Sequence, residues 1–119
     1  MNTGNFVAVG KTGELKDGDK KKVTAGGQEI MVARAGGKYY AIVNRCPHMG
    51  GDLSMGILTG TMIQCPRHGS QFDITDGHNI RWMRGTGLAA TLGKIVKSPR
   101  PVKTYNIKID GDDILVEVQ

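Results

Sequence analysis

An all-β domain, built as an antiparallel sandwich or barrel, is the fold class this sequence predicts. Two observations lead there. Apolar and polar residues alternate over many short segments, as strands with one buried face require. Glycine is abundant, at 18 of 119 residues, and twice falls in pairs between such segments. Many tight turns and little long helix are therefore expected, which is the pattern of an all-β domain. A chain of 119 residues accommodates one domain, spanning 1–119, with one modest core.

Taken in order, residues 5–9 alternate weakly and read as a first strand, and 16–19 (KDGD) as a polar turn. Residues 21–24, 29–34 and 38–43 are then successive strands. Gly26-Gly27 and Gly36-Gly37 separate them as two-residue hairpin turns, where positive φ is needed. Ile30 and Val32 share one face, as do Tyr40 and Ile42. Residues 62–64 and 71–74 are two further short strands. Near the end, 104–109 alternates with Tyr105, Ile107 and Ile109 inward. A turn at Asp110-Gly111-Asp112 leads into 114–118, with Ile114, Val116 and Val118 inward. Residues 78–101 break the pattern. A short helix is expected within 86–96, although Gly87 and Gly93 weaken it.

The chemistry concentrates in 46–77, CPHMGGDLSMGILTGTMIQCPRHGSQFDITDG. Cys46-Pro47-His48 is followed by sixteen residues and then by Cys65-Pro66-Arg67-His68, so both cysteines and two of the three histidines of the chain are here. A buried thiol is the ordinary fate of a cysteine, and a satisfied or exposed ring that of a histidine. Four of them in this spacing are a different matter. Two loops, each with one thiolate and one imidazole, make a set of two sulfur and two nitrogen ligands. That set suits a single tetrahedral zinc ion. It also suits a [2Fe–2S] cluster with both cysteines on one iron and both histidines on the other. The spacing favours the cluster, because zinc fingers begin with two close cysteines and end with two close histidines.

The stretch resembles the Rieske iron–sulfur motif. The likeness extends past Cys46, His48, Cys65 and His68 to Leu53-Ser54-x-Gly56, Ile63-x-Cys65-Pro66 and His68-Gly69-Ser70-x-Phe72-Asp73. It implies one [2Fe–2S] cluster, with Cys46 and Cys65 on the inner iron and His48 and His68 on the outer one. It implies the same antiparallel architecture, with a small cluster-binding subdomain at about 44–77. Residues 78–98 are then an insertion, because Ser98-Pro99-Arg100-Pro101 looks like a Pro loop that follows sooner in related ferredoxins. Two ferric ions, two sulfides and two thiolates sum to zero charge, so an added electron costs less than in a four-cysteine cluster. Such centres span about −150 to +300 mV.

The resemblance also suggests supporting roles. Ser70 matches a donor to a bridging sulfide. Two residues on, quinol-oxidising relatives carry a Tyr, whereas Phe72 here has no hydroxyl, and no second cysteine pair clips the loops. A low-to-middle potential is expected. Pro47 and Pro66 fix the backbone beside each Cys, and Gly50, Gly51 and Gly69 let it crowd the cluster and aim amides at sulfur. Leu53, Met55 and Pro99 are expected to shield the cluster, Asp73 to close the second loop, and His78 to be a surface residue.

The implied function is one-electron transfer from a reductase to an oxygenase or other terminal redox enzyme, with no catalytic residue of its own. Two rivals remain in the sequence. One is the Rieske-like small subunit of a nitrite reductase-type complex, and the other is a structural zinc module. The net charge is +5, but its lysines and arginines are dispersed except for Lys20-Lys21-Lys22, and no aromatics interleave them. That argues against nucleic acid, and the lysine triplet reads as a solvated surface. The partners expected are redox proteins that present an acidic surface. Arg81, Trp82, Met83, Arg84, Lys94, Lys97 and Arg100 read either as a basic, partly apolar docking patch or as a segment whose Trp82 and Leu88 simply pack on the sandwich. No apolar run approaches the ~20 residues of a membrane span, and no signal peptide is visible, so a cytoplasmic protein is expected.

Overall fold

The computed structural model describes residues 5–47, 50–67, 69–81 and 100–118. Its strands are β1 (Asn5–Lys11), β2 (Lys20–Ala25), β3 (Gln28–Ala35), β4 (Lys38–Val43), β5 (Ile57–Thr59), β6 (Met62–Gln64), β7 (Gln71–Asp73), β8 (Asn79–Arg81), β9 (Thr104–Tyr105), β10 (Ile107–Asp110) and β11 (Asp113–Val118). Among the described residues all pairings are antiparallel, in three sheets ordered β1-β11-β10, β2-β3-β4-β9 and β5-β6-β7-β8. The antiparallel all-β class is as expected. Among the described residues no helix is long and apolar enough to cross a membrane.

The second sheet is the middle layer, and β3 shows why. Its run Ile30-Met31-Val32-Ala33 is buried throughout. Ile30 and Val32 face a core made with Leu15, Ala41, Tyr105, Ile114, Val116 and Val118. Met31 and Ala33 face the other way, into a core with Ile42, Leu53, Ile63, Phe72, Ile74 and Val102. A continuous apolar run is what a strand covered on both sides needs. The β1-β11-β10 sheet therefore covers one face, and the β5-β6-β7-β8 sheet with its loops covers the other.

Glycine pairs set the register of this layer. Gly26-Gly27 (φ +58° and +75°) and Gly36-Gly37 (φ +59° and +79°) make both hairpin turns with positive φ at both positions, matching the twist of the flanking strands. The pairs Ala25↔Gln28 and Ala35↔Lys38 close directly onto them.

Two expectations need correction. Residues 104–109 do not form one strand. The chain changes sheets at Asn106, so that Tyr105 pairs with Ala41 and Ile107 with Val116. The switch carries Ile109 beyond the core, where it is 44% exposed rather than inward. Residues 79–81, read as part of a stretch that breaks the strand pattern, continue the third sheet as β8 against β7. The helix expected within 86–96 lies outside the described residues.

A polar network ties the segment after the first cysteine to the middle layer. Asn44, only 2% exposed, donates from Nδ2 to Asp52 at 2.7 Å. The Ser54 hydroxyl donates to the same carboxylate at 2.6 Å, and the Ser54 amide donates to Asn44 Oδ1 at 2.7 Å. From β2, Lys22 reaches Asp52 at 3.2 Å and Lys20 reaches the Ser54 carbonyl at 2.7 Å. Burial pushes the Asp52 carboxyl up, but hydrogen bonds from Ser54, Asn44 and Lys22 outweigh it and hold the group down to about 2. The carboxylate's stabilising contribution is therefore complete above its usual 3.8 and is lost as the pH falls towards 2.

Replacing Ile30 by Ala should cost about 2–5 kcal/mol of stability. Ile109→Ala at the exposed end of β10 should cost under about 1 kcal/mol, both read from denaturant midpoints. Asp52→Ala leaves Asn44 and Ser54 donors without their acceptor and should cost about 1–3 kcal/mol at pH 7. Asp52→Asn can keep Oδ1 and lose only the half-exposed Lys22 pair, at under about 1 kcal/mol. The remaining gap between wild type and D52N should close as the pH is lowered from 3.8 to about 2 in the same assay.

Candidate metal centre

The two cysteine loops are closed in the same way. In the first, the Cys46 amide donates to the Gly51 carbonyl at 2.8 Å, and the Gly50 amide donates back to the Cys46 carbonyl at 2.7 Å. In the second, the Cys65 amide donates to the Ser70 carbonyl at 2.8 Å, and the Gly69 amide donates back to the Cys65 carbonyl at 3.2 Å. Each loop thus begins at a cysteine and is closed by two backbone hydrogen bonds. The residue four positions on has positive φ, +72° at Gly50 and +78° at Gly69, a conformation glycine adopts without strain. Pro47 and Pro66 follow the cysteines at equivalent places. The Gly50 and Gly69 amides donate to the cysteine carbonyls and so help hold the loops shut.

β6 runs directly into the second loop and β7 leaves it, paired as Gln64↔Gln71 and Ile63↔Phe72. The first loop leaves β4 and is held by the Arg45↔Asp52 bridge. The fold thereby brings both loops to one end of the middle layer. Cys46 and Cys65 are 1% and 2% exposed and share one apolar cluster with Leu53, Ile63, Phe72, Ile74 and Val102. The loops also touch. A Cβ added to Gly51 would lie 2.6 Å from Cys65 Sγ and 3.0 Å from Arg67 Cγ. The backbone of one loop is therefore pressed against the sulfur of the other, a cradle that any side chain at 51 would fill.

Two buried sulfur donors, one from each of two adjoining loops, fit a thiolate-bound metal centre. His48 and His68 lie outside the described residues, as do Met49 and Pro99. Ser70 and Phe72 are both fully buried beside the second loop.

Other expected supports are placed differently. Leu53 is fully buried, but Met55 is 72% exposed. Asp73 accepts from the Thr75 amide at 2.9 Å and its hydroxyl at 2.6 Å, so it closes the turn between β7 and β8 rather than the cysteine loop. His78 is on the surface as expected, with Nδ1 2.6 Å from Asp76. The His78 amide and then its ring hold the Asp76 carboxyl below the usual carboxylate range.

Arg81 is the residue whose place differs most from expectation. It is half-buried at the end of β8, and its Nε and Nη2 donate to the Gly69 carbonyl at 3.2 and 3.0 Å. Nη2 also lies 3.5 Å from Gln64 Oε1, which accepts from Gln71 Nε2 at 3.0 Å. Nothing local in the sequence signals this contact. Residues 69 and 81 meet only because β8 pairs with β7, and the bulge between Gln71 and Phe72 brings Arg81 opposite Gln71. Arg100, from the same expected patch, is exposed, while residues 82–99 lie outside the described residues.

A family model of the Rieske [2Fe-2S] domain matches residues 5–108. The ferredoxin component of biphenyl 2,3-dioxygenase from Rhodococcus jostii (strain RHA1) is 29% identical over 114 residues, covering 96% of this chain and 94% of that protein. The naphthalene 1,2-dioxygenase system ferredoxin component from Pseudomonas aeruginosa is 30% identical over 105 residues, covering 88% of each. Among solved structures, the ferredoxin of carbazole 1,9a-dioxygenase from Nocardioides aromaticivorans IC177 superposes with a TM-score of 0.77. It is 32% identical, over 96% of this chain and 98% of that one. With its two cysteine loops closed alike around one buried centre, the chain belongs to the Rieske [2Fe-2S] domain family and carries one [2Fe-2S] cluster.

Proposed function

We propose that this protein is a one-electron carrier that takes electrons from a reductase and delivers them to a terminal oxygenase. The observation that carries the proposal is the pair of equivalently closed cysteine loops meeting at one buried centre. The match to ferredoxin components of dioxygenase systems along nearly their whole length supports the choice of an oxygenase as acceptor. In this reading the carrier is cytoplasmic and works as a single domain, with residues 44–77 as its cluster-binding part.

When bound, the cluster supplies reversible one-electron chemistry. In this reading Cys46 and Cys65 hold the inner iron, and His48 and His68 hold the outer iron. The two cysteines bring their sulfurs in from opposite loops, within an apolar cluster that excludes water. Gly51 keeps the first loop low enough for the second to close over the same centre. Phe72 fills the space beneath the second loop without offering a donor to sulfur, and Ser70 supplies a buried hydroxyl there. One donor fewer leaves added negative charge less well stabilised, which supports a low-to-middle potential. An acidic surface on the partner suits the basic balance of the chain, +5 overall.

Three measurements test the proposal. Iron and acid-labile sulfide should be found at two each per chain, with a rhombic electron paramagnetic resonance signal after dithionite reduction. A colourless protein with zinc and no iron would overturn the reading. His48→Ala and His68→Ala should each abolish the chromophore or change it drastically, and Gly51→Ala should cut cluster content several-fold while leaving the β-sheet circular dichroism intact. Redox titration should place the wild type in the lower or middle part of the −150 to +300 mV range.

A further inference from the structure

Arg81 is the partly buried cation that the fold brings to the second cysteine loop without any motif to announce it. Its guanidinium donates twice to one carbonyl, that of Gly69, at 3.2 and 3.0 Å. That carbonyl belongs to the residue immediately after His68. Through Gln64 Oε1, 3.5 Å away, the same group also approaches the residue immediately before Cys65. One side chain therefore bridges the two ends of the loop, from a strand outside it. Asn79 stiffens the mounting, with Nδ2 donating to the Gln71 carbonyl at 3.1 Å and the Arg81 carbonyl at 3.0 Å.

Two physical consequences follow. The planar guanidinium fixes the direction of the Gly69 carbonyl better than a single-point donor would, and so limits how far the loop opens. It also holds a permanent positive charge, since arginine does not deprotonate in proteins, in a half-buried place where screening by water is incomplete. A nearby fixed positive charge favours the state with one more electron.

The geometry points to Arg81 as a positioning residue for the cluster: it latches the Cys65–His68 loop through the Gly69 carbonyl and, by its charge, raises the reduction potential. The inference rests on the proposed ligand role of His68. It assigns to Arg81 a task inside the domain, in place of the docking role suggested by its position in a basic segment.

The test compares purified holoproteins of wild type, Arg81→Gln and Arg81→Lys. Iron and sulfide analysis of the wild type checks the cluster reading separately, so failure of that reading is seen before any variant is compared. Two readouts are then taken: the midpoint potential by redox titration, and the half-life of the visible chromophore against an iron chelator. R81Q should lose its cluster several-fold faster and show a lower potential, by up to a tenfold change in the reduction equilibrium, which is 59 mV for one electron. R81K keeps the charge without the fork. It should retain most of the wild-type potential while still losing its cluster faster. Equal potentials in R81Q and R81K would overturn the charge effect, and wild-type retention in both would overturn the latch. Should R81Q assemble no cluster, R81K decides: a potential shifted as far as the tenfold limit, or retention equal to wild type, sinks the corresponding half.

Discussion

The closure of two short loops against each other is the constraint on which this domain turns. Each loop begins at a cysteine and reverses through a glycine with positive φ, and two backbone hydrogen bonds seal it. Either loop alone would present one thiol to solvent. Pressed together, with Gly51 against the Cys65 sulfur, they bury both thiols in one apolar cluster. Crowding at this contact sets what the sequence can hold there. A side chain at 51 would collide with sulfur, so the loops depend on glycine for space as well as for conformation.

The layered fold serves that contact. β3 at the centre of the middle sheet is apolar on both faces, so one face builds a conventional sandwich while the other packs under the cysteine loops. Met31, Ala33 and Ile42 on that second face form the floor under Phe72, Ile63 and the cysteines. Asn44, Asp52 and Ser54 then pin the chain leaving the first loop to β2, through Lys22 and Lys20. Arg81 holds the second loop from β8 through the Gly69 carbonyl. The two loops are alike in the hydrogen bonds that close them but are braced by different chemistry, one by a carboxylate network and the other by a guanidinium.

Much of this is legible along the chain. The two Gly-Gly turns announce the β2-β3-β4 meander, because only glycine readily takes positive φ at two successive positions. The alternation of Ile114, Val116 and Val118 announces the strand that covers the first core. The Cys-His spacing announces a metal centre and its family. What local pattern could not reveal were the places where a segment changes partner. Residues 104–109 alternate as one strand would, yet the chain leaves one sheet for another at Asn106 and strands Ile109 in solvent. Met55 is apolar but sits on an outward turn, and its exposure depends on which side of the 53–55 turn meets the core.

From sequence alone came the all-β class, the glycine turns and the cysteine and histidine pattern. These rest on local facts: backbone conformations open chiefly to glycine, a two-residue side-chain period, and the ligand chemistry of thiols and imidazoles. Tertiary structure alone decided that β3 is covered on both faces, that Gly51 touches Cys65 sulfur, and that Arg81 reaches Gly69. Each of those is a contact between residues brought together by sheet pairing, and its energy depends on distances that no stretch of chain carries within itself.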